Sequence, residues 1–339
     1  MKIELPINRI GIPIFSSKII LLSLFLAIFA HKNYAQQEPS WSSFYENGFL
    51  WNPALTAKWN FWELNVTSRQ EWSGFENAPK YHTISFQYPF IKNIVRSSVG
   101  AYIDVDRIGP YESLGVGFSY TFKIYPNFFD RKDGVLTLGV SPRINQFRFN
   151  QTSLVGFDGI SGENFTSAQQ NNFISPNLNV GFFYNSVSDF YSFEPHFYFG
   201  ASFNNVIPIT NNLGPNLNWK YVPHINAHGG FRIKKSRSDY YWEPSLMISM
   251  VDYNTINVMS HIRYEKEQKY WGAFGLVSNG EVFGQIGFIF NDRSVLGWLV
   301  QDGLLRIGTK VDYSIGPIGQ FSGVGYEAYV SYSFSNEAF

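Results

Sequence analysis

The stretch that most constrains the fold is the run of alternating residues at positions 325–334. One face of an extended strand here would carry Tyr326, Ala328, Val330, Tyr332 and Phe334, and the other Glu327, Tyr329, Ser331 and Ser333. Such strict alternation, with an aromatic residue near the C-terminus, is typical of the strand that closes a membrane β-barrel. A bilayer offers no water to an open strand edge, so the last strand must pair with the first. An edge strand of a soluble β-sandwich has the same local pattern, so the rest of the chain must decide.

The composition combines few charges with many aromatic residues. Of 339 residues, 15% are charged and 19% aromatic, Lys+Arg and Asp+Glu are equal at 26 each, and Cys is absent. Zero net charge gives no electrostatic footprint for nucleic acid, and the lack of Cys excludes disulfides and thiolate chemistry. Mean hydropathy is −0.14, and no segment after the N-terminal one approaches the roughly 18 apolar residues of a membrane helix. This combination favours a membrane β-barrel, in which half of each strand is polar.

The N-terminus has the pattern of a secretory signal peptide. Lys18 precedes an apolar core at 19–30, and the small residue Ala35 offers a cleavage site. The core is too short to span a bilayer. The sequence therefore predicts three parts: a signal peptide at 1–35, an aromatic N-terminal segment at 36–60 and an outer-membrane β-barrel at 61–339.

Alternating runs continue through the rest of the chain and predict an all-β fold, a single antiparallel up-and-down barrel of about 14 strands. The polar faces are rich in Gly, Ser, Thr and Asn, which favours a water-filled lumen over a packed core. The predicted strands are 61–69, 81–88, 99–105, 114–124, 135–149, 178–184, 197–203, 225–233, 241–251, 256–264, 270–277, 282–290, 305–313 and 325–334.

An even strand number places both termini on one side of the membrane, the periplasmic side in bacterial barrels. The two longest connections, 150–176 and 204–223, are then external. Short charged connections at 130–133, 234–239 and 265–269 fall on the inner side, although the long connection 291–302 also does.

Candidate metal and catalytic residues are few. His224 and His228 would share a strand face, but about 13 Å apart, which is too far for one zinc ion. Asp104 and Asp106 share a face before a turn, where either a cation site or ordinary carboxylates, one of them paired with Arg107, would fit. The sequence has no nucleophile elbow, P-loop or dinucleotide motif. These observations predict a protein that is not an enzyme and that binds no cofactor or metal.

Motifs near the start of the predicted mature chain resemble the PorP/SprF family, Bacteroidetes outer-membrane proteins of the type IX secretion system. That family has an Asn-Pro-Ala-Tyr-Ala-Gly-like motif, then Arg-x-Gln-Trp-x-Gly and Gly-Ala-Pro. The sequence departs from these at 55–57, at Glu71, which separates Gln70 from Trp72, and at Asn77. The positions that match, together with a turn that looks familial, are Asn52, Pro53, Ala54, Arg69, Trp72, Gly74, Ala78, Pro79, Asp106 and Gly109.

The resemblance implies a role in type IX secretion, such as export or surface attachment of a gliding-type adhesin. The implied partners are periplasmic ring or lipoprotein components and the C-terminal domain of a secreted adhesin. The aromatic segment 41–59 would either plug the barrel or dock a periplasmic partner, and the matching positions would be structural or partner-docking. A channel for small solutes is the alternative, favoured by the polar strand faces, and a soluble periplasmic β-sandwich is a third.

Overall fold

The computed structural model describes residues 45–334 except 60, 91–95, 126–133, 150–171, 188–193, 208, 215–216, 221, 236, 253–254, 267–268, 293, 295–296, 298–299, 301–302 and 317–318. The predicted signal peptide at 1–35 and its cleavage site lie outside the described residues. Among the described residues, no helix is long and apolar enough to cross a bilayer.

Fourteen strands form a closed antiparallel barrel, and two further strands form a separate hairpin. The strands are β1 (Trp62–Gln70), β2 (Lys80–Phe90), β3 (Ser97–Ile108), β4 (Tyr111–Ile124), β5 (Val135–Phe149), β6 (Asn172–Asn185), β7 (His196–Asn204), β8 (Thr210–Gly214), β9 (Leu217–Lys220), β10 (His224–Arg232), β11 (Tyr240–Val251), β12 (Thr255–Lys266), β13 (Tyr270–Val277), β14 (Glu281–Phe290), β15 (Gly303–Ser314) and β16 (Val324–Phe334). Each barrel strand pairs with its neighbours in the chain, except that β7 pairs with β10 across the β8–β9 hairpin.

The barrel closes between β1 and β16. The two strands pair in unbroken antiparallel register from Trp62 opposite Phe334 to Gln70 opposite Tyr326. We refer to the end at which β1 begins and β16 ends as the terminal end, and to the opposite end as the far end. The predicted up-and-down barrel of 14 strands is confirmed.

The alternation of side chains sorts residues between the lumen and the outer surface. In β16, Glu327 and Tyr329 are buried inside the barrel, whereas Tyr326 and Val330 are exposed on the outside. The same pattern in β4 exposes Val116, Phe118 and Tyr120. The outward residues are apolar because lipid is their solvent, and the inward ones are polar.

Two predicted boundaries differ from the structure. Strand β6 begins at Asn172, so its first five residues belong to the wall and not to the predicted loop 150–176. The predicted loop 204–223 contains the β8–β9 hairpin. Both segments are rich in Asn and Pro and lack clear alternation, so their strand character comes from pairing with a neighbour.

The prediction of a water-filled lumen without a packed core is wrong for part of the barrel. A cluster of buried apolar residues lies inside the wall, built by the segment 45–59 and by inward-facing residues of the strands. Its larger members include Phe49, Trp51, Trp59, Tyr102, Phe183, Tyr198 and Phe283. Part of the lumen is therefore filled by residues that precede β1.

Arginine substitutions at two depths test the lipid-facing surface. Phe118, 60% exposed near the middle of β4, should lose about 2–4 kcal/mol of unfolding free energy as Phe118→Arg because the charge enters hydrocarbon. Ile108→Arg, at the far end of β3, is the control and should lose about 0–1 kcal/mol. The measurement is urea unfolding in lipid vesicles, and equal losses at both sites would contradict the assignment of faces.

Candidate functional site

The first half of the family-like motif builds the segment inside the barrel, residues 45–59, which we call the plug. Two short 3-10 turns, Gly48–Leu50 and Pro53–Leu55, give it its shape. Asn52 caps the second turn, because its Oδ1 accepts a hydrogen bond from the Ala54 amide at 3.0 Å. Pro53 follows at the first position of the turn, where a missing N–H costs nothing. The other end of the Asn52 amide donates to the Phe182 carbonyl of β6 at 3.1 Å.

Two glycines of the barrel wall, Gly139 and Gly181, provide the space that Asn52 and Ala54 occupy. A Cβ atom at Gly139 of β5 would lie 2.3 Å from the Ala54 nitrogen. A Cβ atom at Gly181 of β6 would lie 2.2 Å from the Asn52 Oδ1 atom. The plug therefore approaches the backbone of the wall so closely that side chains at these two positions would displace it.

Aromatic contacts and hydrogen bonds hold the middle of the plug. Trp51 packs edge-on against His228 with ring centroids 4.6 Å apart. Its carbonyl accepts hydrogen bonds from Ser202 Oγ at 2.7 Å and Asn204 Nδ2 at 2.8 Å. Thr56 donates to Ser119 Oγ at 2.8 Å on the opposite wall.

The plug reaches across the whole lumen. Its residues bond to, or stack on, residues of ten strands of the wall: β1, β2, β3, β4, β6, β7, β10, β11, β12 and β15. The plug therefore contacts most strands of the barrel wall.

Buried charged residues fix the start of the plug near the terminal end. The Tyr45 hydroxyl donates to Glu243 at 3.2 Å and accepts from Arg232 at 2.9 Å, and those two wall residues pair with each other at 2.8 Å. Glu46 forms an ion pair with Arg263, which also pairs with Glu265 at 2.7 Å. Buried charges are stable only when they are paired in this way.

The pKa values of three ionisable groups of the plug, Tyr45, Glu46 and Lys58, are shifted, and burial raises that of Tyr45. Burial lowers the pKa of Lys58 to about 8, although nearby Glu46 and Glu63 act in the opposite direction. Burial opposes ionisation of Glu46, but Arg263 outweighs it and holds the pKa of Glu46 below its usual value. Lys58 donates to the Tyr45 carbonyl and lies 4.4 Å above the Tyr45 ring. Glu46 therefore stays ionised at neutral pH, which maintains its link to the wall.

The second half of the motif lies at the far end, across the closing strands. Arg69 of β1 is buried in the lumen and pairs with Glu71 and Asp312 at 2.9 Å each and with Glu327 of β16 at 3.5 Å. Lys310 of β15 lies 2.8 Å from Asp312 and joins the network. The Arg69 network therefore ties β1 to β15 and β16 from the inside.

The connection after β1 packs against the connection before β16. The Gly74 amide donates to the Ser322 carbonyl at 2.8 Å, and the Ser73 amide donates to the Val324 carbonyl at 3.1 Å. A Cβ atom at Gly74 would lie 2.4 Å from the Phe321 carbonyl oxygen, so this approach requires glycine. The motif thus links the connection after β1 to the connection before β16 at the far end of the barrel.

The remaining motif positions complete the same region. The amide of Glu71 donates to the Pro79 carbonyl at 2.9 Å, and Ala78 is buried beside it. Gly109 takes a φ of +57° in the turn after β3 and donates to the Asn77 carbonyl at 3.1 Å. Asp106 points into the lumen.

Trp72 differs from the other motif residues because it is exposed. Its φ is +49°, a left-handed conformation that is unfavourable for a bulky residue. Its side chain is 39% exposed and lies beside Phe75, 40% exposed, with ring centroids 6.4 Å apart. The fold holds this aromatic pair at the surface of the far end.

The structure thus divides the matching positions into two groups. Asn52, Pro53 and Ala54 lie in the plug, and the others, from Arg69 to Gly109, lie at the far end. Sequence reasoning missed the charged partners Glu243, Arg263 and Asp312. The alternation of side chains could have identified them as residues of the lumen, because all three occupy inward positions of their strands.

Of the other candidate residues, His228 contacts the plug through Trp51, whereas Asp104 pairs with a wall residue outside both groups. His228 is buried and stacks on Phe183, with ring centroids 5.5 Å apart. Asp104 pairs with Arg143 at 2.7 Å, and Arg107 pairs with Glu112 at 2.8 Å, so the expected pairing of an aspartate with Arg107 is wrong for Asp104. In the described part of the chain, no group of three or more His, Asp or Glu residues is placed to hold a metal ion.

Fold and plug together define a class: an outer-membrane β-barrel with an internal N-terminal plug. Within that class, residues 33–332 match the family described as type IX secretion system membrane protein PorP/SprF. The chain belongs to the PorP/SprF family. A comparison with curated proteins finds no match.

Similar solved structures are also β-barrels. The CymD monoaromatic hydrocarbon channel is 9% identical, with a TM-score of 0.49 over 85% of this chain and 92% of that one. A Pseudomonas aeruginosa FadL homologue is 9% identical, with a TM-score of 0.47 over 84% and 92%. The P. putida toluene transporter TodX is 9% identical, with a TM-score of 0.43 over 85% and 94%.

Removal of the Arg263 charge tests the anchor of the plug. Arg263→Met should cost about 3–5 kcal/mol of unfolding free energy, because Glu46 and Glu265 would be left buried without a counter-charge. Lys266→Met is the control in the same strand, since its ion pair with Asp239 is partly exposed and should be worth about 0–1 kcal/mol. Urea unfolding measures both, and a small loss for Arg263→Met would show that the ion pairs do not hold the plug.

A single methyl group on the wall tests the close approach of the plug. Gly139→Ala should cost about 1–3 kcal/mol and expose residues 45–59 to protease, because the new Cβ overlaps the Ala54 backbone. Gly284→Ala in β14 is the control, with open space around the added atom, and should change stability by less than about 0.5 kcal/mol. Equal protease resistance of the two variants would contradict the position of the plug.

Proposed function

We propose that this protein is a non-enzymatic outer-membrane component of the type IX secretion system. Its role is to support export or surface attachment of a specific partner, such as an adhesin or gliding-type cargo, and to dock periplasmic secretion components. The family match over residues 33–332 supports the secretion role. The single observation that favours docking over transport of solutes is the plug, whose contacts reach ten strands of the wall.

The proposed orientation places the terminal end in the periplasm. The plug, residues 45–59, starts at this end, so a signal peptide at 1–35 followed by the aromatic segment 36–60 fits a chain that enters the barrel from the periplasm. The far end then faces the exterior and carries the connections that contain 150–171 and the β8–β9 hairpin. These are the long connections that we assign to an exported partner, such as the C-terminal domain of an adhesin.

We assign two roles to the motif positions. The plug residues and the Arg69 network are structural, because their side chains are buried and paired within the chain. Trp72, together with Phe75, is the part that contacts a partner. Exposed aromatic side chains held by a rigid backbone are typical of interface hot spots.

The plug also changes the expected role of the aromatic segment. Trp51 and Trp59 are buried in the lumen and are not accessible to a periplasmic partner. Docking of periplasmic components is therefore assigned to the connections at the terminal end. We assign no catalytic residue, because the buried charges around the plug and those of the Arg69 network are paired with one another.

A channel for small solutes is the second candidate. The polar inward faces of the strands favour this function, provided that the plug can leave the lumen. Planar-bilayer conductance separates the two functions: the complete protein should be closed, and a variant lacking residues 36–60 should conduct. Steady conductance of the complete protein would favour the channel.

Affinity purification from host membranes tests the docking role. The tagged protein should recover type IX secretion components and an exported adhesin domain. A Trp72→Ala/Phe75→Ala variant should lose at least about tenfold of the exported partner, because aromatic hot spots contribute about 2 kcal/mol or more. Trp242→Ala/Phe231→Ala, an exposed aromatic pair at the terminal end, is the control. Extracts that contain neither class of partner would contradict the proposal.

A further inference from the structure

A sector of the terminal end combines outward-facing aromatic rings with basic turns. It comprises the turn between β10 and β11, residues 233–239, and the turn between β12 and β13, residues 266–269. These turns contain the basic residues Lys234, Lys235, Arg237, Lys266 and Lys269 and the acidic residues Asp239 and Glu267. The next terminal-end connections on either side, 186–195 and 291–302, carry more acidic than basic residues. The two turns therefore carry an excess of basic residues that the connections on either side lack, and we call them the basic sector.

The two turns of the basic sector lie side by side. Tyr240 is the register partner of Lys266, and Lys266 is also the partner of Tyr270. The Lys266 ammonium bridges the turns by an ion pair with Asp239 at 3.3 Å. Lys235, Arg237 and Lys269 are exposed at the surface.

An aromatic band lies directly next to these charges on the outer wall. The Tyr264 ring is 5.5 Å from Tyr240, 5.0 Å from Trp242 and 6.3 Å from Tyr270, measured between centroids. Trp242 and Tyr270 are exposed on the outside of the barrel. Rings of this kind mark the level of the lipid headgroups.

Lys266 shares the outward face of β12 with Ile262 and Tyr264, and points to lipid and not into the lumen. Phe231 of β10 and Ile233, which follows that strand, lie on the other side of β11 from Lys266 and are also exposed on the outside. The basic side chains thus project just beyond the aromatic band, at the depth of phosphate groups. Long Lys and Arg side chains can extend along an apolar surface to place their charges at this level.

We propose that the basic sector binds the headgroup of an anionic phospholipid in the leaflet at the terminal end. Lys235, Arg237 and Lys269 supply charge to the phosphate, and Trp242 and Tyr270 pack on the glycerol and upper acyl region. The proposal goes beyond the proposed secretion role, because it depends on the wall and not on the lumen or the far end. An acidic protein is the other chemistry that basic residues attract, but the continuity with the aromatic band favours lipid.

Native mass spectrometry of the complete protein tests the proposal. The probe is a micelle that contains equal amounts of phosphatidylglycerol and phosphatidylethanolamine. The wild type should retain phosphatidylglycerol preferentially, and a Lys235→Gln/Arg237→Gln/Lys269→Gln variant should lose about fivefold or more of that preference, since each basic residue near an anionic surface contributes measurably. A Lys80→Gln/Arg107→Gln/Arg148→Gln variant removes the same charge at the far end and should retain the preference.

Three results would overturn the proposal. They are the absence of a preference in the wild type, an equal loss in the far-end control, and unchanged lipid retention in a basic-sector variant that instead loses a co-purifying acidic protein. Heat-modifiable gel mobility checks that every variant is folded. The secretion role is tested separately by affinity purification, in which the basic-sector variant should still recover the exported partner.

Discussion

The structure depends on the pairing of its first and last strands. Within hydrocarbon, no water can bond to an unpaired backbone group, so an open sheet edge is excluded. Strands β1 and β16 meet this requirement along the whole of β1, from Trp62 opposite Phe334 to Gln70 opposite Tyr326. The Arg69 network reinforces the junction from inside the lumen, and the contact between Gly74 and Ser322 reinforces it at the far end. Two positions of the family-like motif, Arg69 and Gly74, therefore lie at the junction between the first and last strands.

Closure leaves a lumen that must be filled or hydrated, and the chain fills part of it with its own residues. The plug combines an apolar middle, which packs on wall aromatics, with a charged start, which pairs with Arg232, Glu243 and Arg263. Apolar packing alone would fit many orientations, whereas ion pairs at fixed strand positions select one. Buried ion pairs often contribute little net stability, so we infer that their main effect here is to fix the position of the plug.

Much of the wall could be predicted from sequence, because alternation is a local property. The faces of β16 follow from residues two apart, such as Tyr326 and Glu327 on opposite sides. The contacts of the plug could not be predicted in the same way, since Glu46 and Arg263 are 217 positions apart. The partner of Asp104 was missed for a related reason: Arg143 reaches it from β5, across the intervening strand β4, whereas Arg107 is merely near in sequence. Motif residues could be identified from the resemblance, but not their division between the plug and the far end.

The short link between the plug and the wall limits how the interior can be opened. Only residues 60 and 61 separate Trp59, inside the lumen, from Trp62 at the start of β1. A link of this length spans at most about 10 Å, so the plug cannot drift away as a free domain. Its movement is limited to a rotation about the point where β1 begins. Any exit of the plug must therefore pass through the terminal end of the barrel. A force applied to the chain before Tyr45 would act directly on the plug.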